Sequence, residues 1–377
     1  MRPRPLGPGP AALAVTGALL AIMALSTAPT PLYPGYAARD GLGPFGVTVV
    51  FSVFVAGVLA ALPTLGRAGD RYGRRPALLG AVGCALAADA VLALPWGPPG
   101  LLVGRALSGV AVGAAAPVAT VWITELVARA WGEDGRRRWA TLTPALSLAG
   151  LSLGPLLAGW LAATTSRPLT TPYVVLGAAL AVLLVPLALA PETGAPAHRT
   201  GPGASLPPPG VLLAAFGGFS VTGLFGALAP EMLATIDPQP SPAAVGTAVF
   251  AVFAAGAAAP AALRRVPPGR QIRAGAVAVA LGLAGVWLAV ALGAVPCFVA
   301  GGVLAGAGGG LLFRGALATA LATAHAAGAV FTAAYSGLAV PVLGMGLLLT
   351  AVPMTAALTV FTGWTVLLLP LTARRAA

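Results

Sequence analysis

Gly66-Arg67-Ala68-Gly69-Asp70-Arg71-Tyr72-Gly73-Arg74-Arg75 is a polar island between two long apolar stretches. Its pattern is G-x-x-x-D-R-x-G-R-R. A segment this charged does not sit in hydrocarbon. The residues before it, 41–65, carry no charge, and those after it, 76–95, carry only Asp89. Each flank is long enough to cross a bilayer, which takes roughly 20 apolar residues. The island is therefore a tight connection between two membrane spans.

Composition extends that reading to the whole chain of 377 residues. Hydrophobic residues make up 58%, charged residues 8%, and mean hydropathy is +0.93. Nine acids and 21 basic residues cannot coat a soluble globule of this size. All the basic residues are arginine. The net charge of +12 would suggest nucleic acid in a soluble protein, but here the arginines flank apolar runs and set orientation. Cys84 and Cys297 both fall in apolar stretches and read as small buried side chains rather than a disulfide or metal pair. Arg2 and Arg4 before an apolar run mimic a signal peptide, but the uncharged stretch from Arg4 to Arg39 is longer than a signal core.

Cutting the chain at charges, prolines and glycine clusters predicts an all-α integral membrane protein. Twelve transmembrane helices fall near 11–33, 44–65, 76–95, 100–124, 139–163, 172–190, 210–234, 242–263, 273–294, 297–322, 328–351 and 354–372. This count places Arg2, Arg4, the island, Arg129, Arg136, Arg137, Arg138, Arg199, Arg264, Arg265, Arg270, Arg273, Arg374 and Arg375 on one face. Only Arg39 and Arg167 fall on the other. The positive-inside rule then puts both termini and the island in the cytoplasm of a multi-pass protein of the cell membrane.

Residues 192–209 (ETGAPAHRTGPGASLPPP) form the longest polar, Pro/Gly-rich connection and read as a cytoplasmic linker between halves 1–191 and 210–377. An internal repeat supports the division. Val50-Phe51-Ser52-Val53-Phe54-Val55-Ala56-Gly57 matches Val249-Phe250-Ala251-Val252-Phe253-Ala254-Ala255-Gly256 at six of eight positions, offset by 199. The same offset carries Arg71 onto Arg270 and Arg74 onto Arg273. Two pseudo-symmetric six-helix bundles with a midplane site between them follow from such a repeat.

The island, after the second helix of twelve, resembles the loop between helices two and three of the major facilitator superfamily of secondary transporters. That resemblance implies a major facilitator fold and a conformational latch. Gly66 and Gly73 would permit the turn, while Asp70, Arg71, Arg74 and Arg75 bond to neighbouring helix ends. Glu125, at the end of helix four, is the acid the resemblance pairs with an arginine of the loop; Asp70, Arg71, Arg75 and Glu125 are expected to hold the closed gate. Helix four opens with Gly104-Arg105 and spaced glycines, resembling the family's motif with an embedded arginine. An intramembrane charge is costly and takes a partner. Asp89 lies as far before residue 97 as Arg105 lies after it, so the two share a depth and are expected to meet, either as a structural pair or as a pair that exchanges with protons and substrate. In helix five, Gly150, Gly154, Pro155 and Gly159 resemble the motif of drug:proton antiporters; physically they permit close helix approach around a bend.

Arg314 in helix ten is a second intramembrane cation, for an anionic substrate group, water or helix-end carbonyls. Glu231 near the outer end of helix seven is a protonatable gate residue or an interfacial charge. His325 reads as a loop residue, and Trp122, Phe225, Phe313 and Tyr335 either line an aromatic pocket or pack. Helix one carries no acid, a departure from many proton-coupled exporters. Without lysine there is no G-x-x-x-x-G-K-[ST] phosphate loop, so this chain alone does not drive transport with ATP. No enzyme, metal or cofactor site is expected. The expected function is proton-coupled export of small amphipathic molecules or drugs by alternating access, with small-molecule substrate, protons and the lipid bilayer as partners, no nucleic acid, and a monomer as the working unit. The alternatives are an organic-anion or metabolite permease using Arg105 and Arg314, and a non-transporting receptor or scaffold with the same fold.

Overall fold

A computed structural model describes residues 6–194, 205–322 and 327–374. His325, Arg2, Arg4, Arg199, Arg375 and the middle of the expected linker lie outside the described residues. The described chain is helical almost throughout. The long helices are α1 Pro8–Thr27, α2 Pro44–Ala61, α3 Arg74–Ala93, α4 Gly97–Arg137, α5 Leu146–Thr164 and α6 Thr171–Leu189. The second six are α7 Pro209–Ala234, α8 Pro242–Ala262, α9 Pro268–Leu292, α10 Val295–Ala322, α11 Ala327–Leu348 and α12 Met354–Arg374. Among the described residues, eleven helical stretches are long and apolar enough to cross a membrane, and α12 carries a shorter apolar helix, Met354–Leu368.

Sequence explains where many of these helices begin. Proline stands in the first turn of α1, α2, α6, α7, α8 and α9, where its missing N–H costs nothing and its fixed φ suits the helix. Ser241 caps α8 by accepting a bond from the Ala244 N–H at 3.1 Å. The sequence cuts miss one feature: the expected connection between helices four and five is itself helical. Helical bonding runs from Gly97 to Thr164, broken only at Gly132, whose φ of 68° suits glycine. Glu133 supports the turn by pairing with Arg136 at 2.6 Å.

The internal repeat is visible as packing. Gly57 of α2 lies so close to α4 that a Cβ there would sit 2.5 Å from the Ala106 carbonyl oxygen. Its repeat partner Gly256 of α8 meets α10 at Gly306, and Gly310 of α10 in turn abuts the Gly256 carbonyl. The same small-residue contact thus joins equivalent helix pairs in both bundles. Cys84 is half-buried and donates to the Leu107 carbonyl at 3.3 Å, whereas Cys297 is exposed, against the burial expected of it. An apolar residue of a membrane helix can equally well face lipid, which hydropathy alone does not distinguish.

The two bundles meet at the end opposite the Gly66–Arg75 island. Thr30, just beyond α1, donates to the Gly226 carbonyl of α7 at 2.7 Å. Gly159 near the end of α5 abuts Pro242 and Gly246 in the first turns of α8, and Trp160 donates to Thr247 at 3.2 Å. Gly346 in the last turn of α11 presses on Thr48 in the first turns of α2.

Candidate functional site

The island forms a short 3-10 turn, Leu65–Arg67, and a helical turn, Ala68–Tyr72, before Gly73 reverses the chain into α3. Gly73 has φ 97° and ψ 156°, and a Cβ on it would lie 2.8 Å from Glu192 Oε2. Only glycine meets both conditions without strain. The reversal aims Arg74, 7% exposed, beneath the loop. Its Nη1 donates to Asp70 Oδ1 at 2.5 Å and its Nη2 to Glu125 Oε1 on α4 at 3.4 Å. Gly69 lets the guanidinium lie there, since a Cβ would stand 2.9 Å from Nη1.

The closed gate expected of Asp70, Arg71, Arg75 and Glu125 is not formed in this state, where Arg74 instead binds both acids within one bundle. The two acids converge on Arg74, because it is the arginine whose side chain the turn buries. Arg71 is exposed over the Tyr72 ring at 5.1 Å, and exposed Arg75 donates to the Ala188 carbonyl at 3.3 Å. Gly66 sits 3.3 Å, by an added Cβ, from Pro117 of α4 and so packs the loop onto that helix.

Sequence reading missed the other half of the network. Glu192, expected as linker, instead accepts from the backbone N–H groups of Arg74 at 2.8 Å and Arg75 at 3.0 Å. A carboxylate at the positive end of a helix is favoured by those free N–H groups. Thr193 donates to Glu125, and Arg129 donates to the carbonyls of Glu192 at 3.2 Å and Thr193 at 2.6 Å. Buried Trp122 donates to the Pro191 carbonyl at 3.3 Å, which makes it part of this clasp rather than of an aromatic pocket. The only sequence signal was an acid immediately following the last apolar residues of helix six. All these bonds remain within the first bundle.

Arg105 is 1% exposed. Its Nη1 donates to the Ser26 carbonyl of α1 at 2.6 Å, and the guanidinium lies 4.5 Å from the Phe54 ring centroid and 5.7 Å from that of Phe51. A main-chain dipole and two ring faces thus surround the charge. The expected meeting with Asp89 does not occur. Asp89, 4% exposed on α3, faces Gly177 of α6, and neither of its carboxylate oxygens has a hydrogen-bond partner among the described residues. Equal depth placed the two residues at one level; helix rotation turned them toward different neighbours.

Gly150 and Gly154 face α1: an added Cβ would come 2.7 Å from Met23 Cβ and 2.1 Å from the Ala24 carbonyl oxygen respectively. Thr27 fastens the same contact by donating to the Leu151 carbonyl at 2.8 Å. Further along α5 the helix turns to the other bundle, where Gly159 faces Pro242 and the Pro155 carbonyl faces Gly246.

A cavity of about 30 Å³ opens between α5, α7, α8 and α10, walled by Leu148, Leu151, Phe219, Thr222, Phe253 and Phe313. Arg314 does not enter it; its guanidinium donates to the Leu263 and Arg264 carbonyls at 3.5 and 3.2 Å and so caps the end of α8. Of the three ligands open to Arg314 in the sequence, the structure places it with helix-end carbonyls. Glu231 is exposed near the end of α7. Phe225 is fully buried against Phe298, with centroids 5.7 Å apart, whereas Phe313 and Tyr335 belong to a half-buried aromatic group beside the cavity.

Two repeated helical bundles meet at one end and leave a small cavity between them, the arrangement of a multi-pass membrane protein. A family model described as Major Facilitator Superfamily matches residues 14–345, and the chain belongs to that superfamily. Solved structures share its fold. The xylose transporter XylE from E. coli, in a partially occluded inward-open conformation, aligns with a TM-score of 0.75 at 15% identity, covering 97% of this chain and 98% of that one. The nucleoside transporter NupG aligns with a TM-score of 0.70 at 11% identity, covering 97% and 99%. A search of curated proteins by sequence gave no match.

Proposed function

We propose that the protein is a proton-coupled exporter of small amphipathic molecules, working by alternating access between halves 1–191 and 210–377. The observation that carries this reading is the one-sided closure. The contacts between bundles through Thr30, Thr48, Gly159 and Gly346 stand at the end away from the island, while the island's ion pairs stay inside one bundle. Such a molecule is closed at one face and free to rock at the other. The arginine excess makes the free face cytoplasmic, so the state is open inward, with both termini in the cytoplasm of the cell membrane. The working unit is a monomer.

Asp89 is the proton carrier of this scheme. It is the buried acid of α3, with neither carboxylate oxygen hydrogen-bonded among the described residues. The anion-permease alternative draws less support, because Arg105 and Arg314 are both engaged by main-chain carbonyls.

The test is efflux from proteoliposomes of dyes, antibiotics and organic acids, with and without an imposed pH gradient. Export stimulated by the gradient is expected for the native chain, and Asp89→Asn is expected to lose that stimulation while retaining flux down a substrate gradient. Flux indifferent to the gradient would remove the coupling, and no flux of any solute would favour a receptor or scaffold.

A further inference from the structure

The cavity wall is specific in its chemistry. Phe219 of α7 and Phe313 of α10 lie with centroids 4.7 Å apart and planes tilted by 54°. Tyr335 of α11 meets Phe219 edge-on at 5.7 Å, and Phe331 meets Phe313 at the same distance. All four residues are only half-buried. Across the cavity stand Leu148 and Leu151. Among the described residues that wall it, none carries a charged side chain. Arg314, next in sequence to Phe313, points away to the end of α8, and Arg105 is enclosed by α1 and α2. The one side-chain hydroxyl of the wall among the described residues is that of Thr222, with Tyr335 standing against Phe219.

We infer that the transported molecule is an uncharged aromatic ring compound bearing one or two hydrogen-bonding groups, seated against Phe219 and Phe313. The inference rests on the transporter reading and adds the substrate class to it. A sugar or nucleoside would bring many hydroxyls to a wall whose one side-chain hydroxyl is that of Thr222, and each unpaired polar group resists burial. An organic anion would meet no cation. A flat ring exchanges water for ring faces and leucine methyls, in the offset or edge-on geometries that aromatic pairs favour, and a polar substituent finds Thr222. The cavity measures about 30 Å³ in this state, room for about one water, so seating a ring requires the wall to open.

The test uses the full chain in lipid nanodiscs, with saturation-transfer NMR of coumarin, xylose, uridine and benzoate against empty nanodiscs. Saturable coumarin binding is expected, tighter than that of the other three. It should weaken at least tenfold in Phe219→Ala and in Phe313→Leu, the second preserving bulk while removing the ring face. Phe45→Ala, at the exposed start of α2 and outside the cavity wall, should leave it unchanged. The inference is overturned if coumarin does not bind saturably, if both variants bind it as the native chain does, or if xylose, uridine or benzoate binds more tightly. Saturable coumarin binding without coumarin flux in proteoliposomes would uphold the site and overturn transport.

Discussion

Arg74 shows how one residue organises the arginine-rich face. It holds Asp70 and Glu125 at once, while the backbone N–H groups of Arg74 and Arg75 receive Glu192, so three acids share one helix start. Charge-assisted bonds of this kind, part-buried, are worth more than exposed pairs. Arg74→Gln removes the charge and leaves Glu125 without its cation. It is expected to lower transport at least tenfold and to reduce thermal stability by about 1–3 kcal/mol, read by flux and by unfolding in detergent; Arg71→Gln is expected to change each less than twofold. Equal effects at the two positions would show that the arginines act only as orienting charges. Asp70 and Glu125 were legible in the sequence, the first from the turn pattern and the second from the resemblance. Which arginine they choose was not, because that depends on the direction in which Gly73 turns the chain. Glu192 was invisible for a related reason: it reaches α3 from 118 residues away.

At the scale of elements, helix identity was written in hydropathy and arginine punctuation, but helix rotation was not. A nearly uniform apolar surface has little periodic contrast, so Arg105 and Asp89 could be matched in depth and still face different neighbours. Glycines carry the missing information in α5. Gly154 lies against α1 within the bundle, whereas Gly159, slightly more than one turn on, lies against α8 of the other bundle. The helix is thus both a wall of one half and half of the closure between halves. Gly159→Leu forces a side chain into a place where a Cβ alone would be 2.3 Å from the Pro242 carbonyl oxygen. Overpacking of this kind costs about 1–3 kcal/mol, charged here only to the state in which α5 and α8 touch. The ratio of the two states is expected to shift about tenfold or more toward the outward-open one. A cysteine at Thr222, lining the cavity, would then react more slowly with a polar thiol reagent added at the cytoplasmic face. An unchanged rate would mean that the α5–α8 contact does not govern access.

The whole molecule is a repeat whose two copies use the same glycine contact, Gly57 on α4 and Gly256 on α10, to build rigid bundles. Rigid halves with a one-sided contact make rocking the natural motion, and a proton or substrate biases it only by binding one state more tightly. Pseudo-symmetry was readable from the offset of 199; the closed end was not, because hydropathy marks which residues form helices and not which helix faces meet. The most direct test is a pair of spin-label distances in a chain with Cys84 and Cys297 replaced by serine. One pair, at exposed Phe45 and Leu347, spans the end away from the island; the other, at exposed Thr64 and Thr332, spans the island's end. As pH and substrate are varied, the first distance is predicted to lengthen while the second shortens. Distances that stay fixed under every condition, or that lengthen and shorten together, would contradict alternating access.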